Sequence, residues 1–158
     1  MAHVDYNVVV QELLKGLAPL DSPIVKAACM TRAAQLSEYR TIRFGGGRQT
    51  GKTKAVIDIA AKSPDTTLII SPDRTLGSDL VRRWREECGD LPFPTMWTNA
   101  FYDENGRRGR SPMIVDGPHF DTIIIDEAGL YFAHYKHAST YKGLAGVSRD
   151  NAVVYLVG

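Results

Sequence analysis

Cysteine is scarce in this chain: of 158 residues only Cys29 and Cys88 are cysteine, far apart and with no histidine or cysteine beside them at metal-ligand spacing. That spacing argues against a zinc scaffold, and the two read as buried free thiols in a reducing compartment. Also missing is any apolar run approaching the length of a membrane span, so no membrane partner is expected and the chain reads as soluble and globular. Its start, Met1-Ala2-His3-Val4-Asp5, has neither the basic residues nor the apolar core of a secretory signal, which points to the cytoplasm. An excess of one charge is absent too. The 19 Lys and Arg against 18 Asp and Glu leave a formal net charge of +1, so any basic surface for nucleic acid must be local. The length suits one domain of ordinary size and leaves no room for a second full one.

Against these absences one stretch carries a chemical signal. Gly46-Gly47-Arg48-Gln49-Thr50-Gly51-Lys52-Thr53 matches G-x-x-x-x-G-K-[ST] at every fixed position, behind the strand-like run Thr41-Ile42-Arg43-Phe44 and ahead of an amphipathic segment. This is the pattern of a phosphate-binding P-loop. Its glycines permit positive φ angles and keep the loop wall thin, so successive N–H groups can converge on phosphate oxygens. On that reading residues 46–53 hold ATP and Lys52 places a point charge at the β and γ phosphates. Thr53 offers its hydroxyl to Mg²⁺, an ion that keeps several waters and needs few protein ligands. The helix that follows turns its positive end to the anion.

Residues before Thr41 read as helical. Val9, Val10, Leu13, Leu14 and Leu17 share one helix face behind Asp5 or Asn7 as cap, and Ser22-Pro23 opens a segment running through Ile24, Ala27, Ala28, Thr31 and Ala34. Residues 1–38 are therefore expected to pack as a helical segment on a core of residues 39–158, within a single domain. After the P-loop helix, with Ala55, Val56, Ile59 and Ala60 on its apolar face, Thr66-Thr67-Leu68-Ile69-Ile70-Ser71 suits a parallel strand buried on both faces. A helix carrying Leu80, Val81, Trp84 and Cys88 follows, closed by Gly89. Arg82, Arg83 and Arg85 on its other sides read as a solvated face balanced by Glu86 and Glu87. Thr95-Met96-Trp97-Thr98 is a further candidate strand. Residues 103–112 read as an exposed loop whose Arg107, Arg108 and Arg110 serve either as nucleic acid contacts or as plain surface charge.

The second signal is Thr122-Ile123-Ile124-Ile125-Asp126-Glu127, an apolar strand that delivers two adjacent carboxylates to its C-terminal end, where open α/β sheets bind ligands. Alone the pattern is common; behind a P-loop it gains specificity. Asp126 is expected to hold Mg²⁺ and Glu127 to polarise the water that attacks the γ phosphate. A closing strand is expected over residues 151–158. Between these lie His134 and His137, an i, i+3 pair without a third metal ligand, which reads as surface or packing. Arg149 is either a phosphate sensor, in cis or in a neighbour's site, or an ordinary loop arginine. Gln35 and Tyr39 stand between adenine contact and helix-end packing.

Strand, P-loop, helix, strand, helix, Asp-Glu strand and closing strand together resemble the RecA-like ATPase core of helicases and viral DNA-packaging motors, over residues 39–158. The implied fold is α/β: a three-layer sandwich with a mainly parallel sheet flanked by helices. Residues 47–53 are especially similar to the P-loop of bacteriophage terminase large subunits, where an arginine commonly sits early in the loop. By that resemblance Arg48 helps bind phosphate and joins Lys52 and Glu127 in the catalytic set, and the host cytoplasm is the setting. Terminases continue into a nuclease domain and two-lobed helicases into a second lobe. Since this chain stops at Gly158, it is expected to be either a small ATPase that completes its site with another subunit or the N-terminal part of a longer motor.

The leading expectation is thus an ATPase using Mg²⁺ and coupled to nucleic acid, DNA rather than RNA, with a homo-oligomer or partner protein supplying an arginine in trans. The alternative is a nucleotide-gated binding module or regulator without motor activity. A small-molecule kinase ranks third, because a carboxylate beside the Mg²⁺ aspartate suits activation of water. The absence of a guanine-reading Asn-Lys-x-Asp is the only indication of which base is preferred.

Overall fold

The computed structural model describes residues 4–47, 50–98 and 119–158. The inner strands carry buried apolar runs, Leu68-Ile69-Ile70, Ile123-Ile124-Ile125 and Val154-Tyr155-Leu156-Val157, and they assemble into one parallel sheet. Its strands are β1 (Thr41–Phe44), β2 (Thr67–Ile70), β3 (Thr95–Trp97), β4 (Phe120–Ile125) and β5 (Ser148–Val157), in the order β1-β5-β4-β2-β3. Every pairing among them is parallel. The sheet is thus wholly parallel where the sequence led us to expect a mainly parallel one.

Side chains alternate across the sheet and define two cores. On one face Leu68, Ile70, Ile123, Ile125, Val154 and Leu156 meet α3 (Arg32–Tyr39), α6 (Ala128–His134) and α7 (His137–Val147). On the other, Ile42, Phe44, Ile69, Ile124, Tyr155 and Val157 meet α1 (Tyr6–Lys15), α4 (Lys52–Ala60) and α5 (Arg74–Cys88). This is the three-layer α/β sandwich of RecA-like type. The N-terminal helices divide between the layers, α1 lying on β1 and α4 while α3 packs against α7.

Helix starts follow their side chains. Asp5 accepts from the N–H groups of Asn7 and Val8, and Asp73 caps α5 through Leu76. The segment after Ser22-Pro23 corrects the single helix expected from its periodicity. It is α2 (Pro23–Ala27), then Cys29 at φ 50, then a new helix whose cap, Thr31, accepts from the N–H of Ala34. Threonine competes for backbone hydrogen bonds and so restarts the helix instead of extending it. Cys29, expected to be buried, is exposed at this break, and Cys88 is half-buried; both are free. Burial raises the Cys88 thiol above its ordinary value, with Glu87 adding to the shift. On α5, Arg82 pairs with Asp79 and Glu86, and Arg83 with Asp79. Glu87 turns to Lys54 instead. Among the described residues no helix is long and apolar enough to cross a membrane.

Candidate functional site

Register decides which chain segments meet. Phe44 is paired with Val157, Leu156 with Ile125, and Ile125 with Ile70, so the carboxyl ends of four strands share one rim. The glycine loop leaves β1 at this rim and the two carboxylates leave β4 there. Since β5 lies between those strands, they stand two strand spacings apart, roughly 10 Å. A lysine and a glutamate side chain extended towards each other span such a gap.

Lys52 begins α4, whose N-cap is Gly51 at φ 92, a left-handed conformation that glycine adopts without strain. Among the described residues no side chain caps this helix, and its first N–H groups face the loop. Across the rim the Lys52 Nζ lies 3.5 Å from Glu127 Oε1. Glu127 itself is left-handed at φ 47, one of two non-glycine residues with positive φ among those described. Its conformation is held from both sides: its N–H donates to Asp126 Oδ1 at 3.0 Å, and its carbonyl accepts from the N–H of Tyr131 at 2.9 Å.

Asp126 continues the β4 ladder by donating its N–H to the Ile70 carbonyl at 3.0 Å. Its carboxyl is buried. Loss of water, then the neighbouring Glu127 charge, push it up to about 6, against the Glu127 N–H and Lys52, which favour the ionised form. A carboxylate held this way gains from any cation that reaches it. Among the described residues no three His, Cys, Asp or Glu side chains are grouped to hold a metal ion. Asp126 and, second in α4 next to Lys52, Thr53 are the residues here whose oxygens could hold a cation such as Mg²⁺.

Nothing among protein-family models, curated proteins or solved structures matches this chain. What the rim can do follows from its own groups: backbone donors and an ammonium for an anion, with two carboxylates opposite for a cation and for water.

Of the residues expected at the site, Lys52, Asp126 and Glu127 come together, and Gly46, Gly47, Thr50, Gly51 and Thr53 lie in or directly after the loop beside them. Arg48 and Gln49 are outside the described residues, as are Arg107, Arg108 and Arg110. Arg149 is far away. It sits at the opposite end of β5, where it pairs with Asp121 at 2.8 Å; Ser148 is paired with Phe120 and Leu156 with Ile125, so the length of β4, roughly 17 Å, lies between it and the rim. Gln35 and Tyr39 likewise precede β1 and stand at the end of the strand away from the loop.

Three residues that shape the loop were not picked out from the sequence. The Gly46 N–H donates to the Gly158 carbonyl and the Gly158 N–H to the Phe44 carbonyl, each at 3.1 Å. A Cβ on Gly45 would lie 1.5 Å from that same Gly158 oxygen, so the loop can cross the end of β5 only as glycine. Tyr6 reaches in from α1. Its ring is buried against Phe44, and its hydroxyl lies 2.8 Å from Thr50 Oγ1, which also donates to the Gly47 carbonyl at 2.9 Å. Tyr6 falls on the apolar face of α1, one turn before Val10, and nothing in that spacing reveals where its hydroxyl ends.

Proposed function

We propose that this chain is a Mg²⁺-dependent ATPase of the P-loop kind, a motor component resembling the ATPase cores of phage terminases and helicases and coupled to nucleic acid. The observation that carries the reading is the 3.5 Å approach of Lys52 to Glu127 beside the buried Asp126. Two motifs distant in sequence, one for phosphate and one for metal and water, face each other across one rim.

The chemistry of each residue follows. Backbone N–H groups of residues 46–53 and the uncapped start of α4 receive the phosphates. Lys52 exchanges Glu127 for the γ phosphate, a stronger partner because it carries more charge. Glu127, released, accepts a hydrogen bond from water and orients it for in-line attack. Thr53 and Asp126 would hold Mg²⁺, which when bound neutralises charge on the β and γ phosphate oxygens. Arg48 adds positive charge early in the loop. With Arg149 at the far rim, a stabilising arginine comes from a second copy or a partner protein, and the lone chain turns over slowly. Free cysteines fit a reducing cytoplasm, a host's if the protein is viral.

The test is phosphate release from Mg²⁺-ATP, with and without DNA, by the wild-type chain and by Lys52→Ala. Turnover that rises with DNA and disappears in the variant is expected. Tight ATP binding with no release under any condition would leave a nucleotide-gated module without hydrolysis. Phosphate appearing on an added nucleoside monophosphate would indicate a kinase.

A further inference from the structure

Beside the catalytic rim, over the exposed edge strand β1, lies a cavity of about 730 Å³ floored by Phe44, Gly45 and Leu156 and walled by α6 and the turn into α7. Its charge is one-sided: Arg43, His134, Lys136 and His137 line it, with no aspartate or glutamate among the described lining residues. All four side chains are exposed. Its wall is also a stack of rings. The His137 ring lies 5.0 Å from Phe132 and 4.6 Å from Tyr141, tilted by 39° and 32°. Tyr141 ties the stack to β1, its hydroxyl 2.7 Å from Thr41 Oγ1. Partial loss of water lowers the His137 imidazole below its ordinary value although the residue is exposed, with the Arg43 charge adding to this and Glu38, outside the lining, opposing it. A neutral imidazole stacks as readily as a phenyl ring.

Planar faces and cations without a carboxylate fit a ligand that is itself planar and anionic in alternation. We infer that this cavity binds single-stranded nucleic acid, one base resting on the Phe132–His137 stack while the flanking phosphates meet Arg43, Lys136 and His134. The size is right for a base and its neighbouring backbone. Duplex DNA does not meet the need, because its bases are already stacked on one another. Of the two histidines, His137 is thus part of the stack and His134 meets a phosphate. The inference deepens the proposed coupling to nucleic acid and places the strand next to Gly45, Ala128 and Gly129, which border both the cavity and the rim.

The experiment measures anisotropy of a labelled single-stranded oligodeoxynucleotide and, separately, binding of a fluorescent ATP analogue with Mg²⁺. The protein is the whole chain, as wild type, His137→Ala, Lys136→Glu and Lys52→Ala. Both cavity substitutions replace exposed side chains, so neither removes core. His137→Ala is expected to weaken the oligonucleotide at least about fivefold, the lower end of what one stacked base contributes. Lys136→Glu should weaken it similarly and flatten its salt dependence. Neither should change ATP affinity, and Lys52→Ala should lose ATP while keeping the strand. The inference is overturned if wild type binds no strand, if both cavity variants bind it unchanged, or if duplex binds equally well. It is overturned too if ATP affinity falls in step with the strand, which would make the cavity the seat of the bound nucleotide's own base. Should Lys52→Ala leave ATP binding intact, the P-loop reading falls while the strand results stand.

Discussion

Asp126 and Glu127 are neighbours with opposite circumstances, one buried and one reaching out to Lys52. For Asp126 the shift from 3.8 to about 6 has a definite sign. In the metal-free protein the folded state keeps a proton that the unfolded chain has already released. The stabilisation is complete below pH 4 and is lost as pH rises through about 6, amounting to on the order of 3 kcal/mol. Asp126→Asn should therefore be more stable than wild type by about 2 to 3 kcal/mol at pH 8 and nearly equal at pH 4, measured by urea denaturation across that range, while losing Mg²⁺-dependent turnover. Equal stabilities at pH 8 would show that the carboxyl carries no such cost. Glu127 stores strain of another kind, a left-handed backbone worth roughly 1 to 2 kcal/mol in a residue with a Cβ. Glu127→Gln keeps that backbone and the side chain's volume, so nucleotide binding should persist while phosphate release falls at least about 100-fold. Release at the wild-type rate would remove Glu127 from the chemistry.

The loop is shaped by elements around it. Helix α1 supports it through one hydroxyl, since Tyr6 contacts Thr50 while its ring fills the core beside Phe44. Tyr6→Phe retains the packing and removes the hydrogen bond, a loss of about 1 kcal/mol in stability. If the bond holds the loop in its phosphate-binding form, ATP affinity should drop severalfold as Thr50 moves, and calorimetric titration beside a thermal melt separates the two effects. Unchanged affinity would make Tyr6 a core residue only. The end of β5 supports the loop from below, where Gly45→Ala would drive a methyl group into the Gly158 carbonyl. The loop must then lift off the strand. We expect a cost of about 1 to 3 kcal/mol from overpacking and loss of ATP binding at temperatures where the variant is still folded, read by circular dichroism and titration on the same sample.

At the scale of the whole molecule, one parallel sheet has two rims with different residues. Arg149 and Asp121 face each other at the rim away from the loop, both about half exposed, and such a pair contributes little to stability. Arg149→Ala should leave phosphate release unchanged in both dilute and concentrated protein, and a fall in rate confined to concentrated protein would mean that a second copy brings this arginine to the loop. The strands themselves were legible because Leu68-Ile69-Ile70 and Ile123-Ile124-Ile125 are buried on both faces, which shows as unbroken apolar runs. The break at Cys29 was not, because Ala27 and Ala28 continue the apolar pattern and only the competing cap at Thr31 ends it. The place of Arg149 follows from the parallel direction of the closing strand, since a residue at the start of a parallel strand stands at the end away from the carboxyl rim.

What the sequence determined by itself was chemistry and local form. The glycines and lysine of one loop, the Asp-Glu pair behind three isoleucines and the buried runs are short-range facts, each written in consecutive residues. The tertiary structure decided adjacency. It set β5 between β1 and β4, drew Lys52 across to Glu127, brought Tyr6 to Thr50, and ranged Phe132, His137 and Tyr141 beside Arg43. Such pairings depend on strand order and register, which arise from the packing of all layers at once and leave no mark on any single stretch of chain.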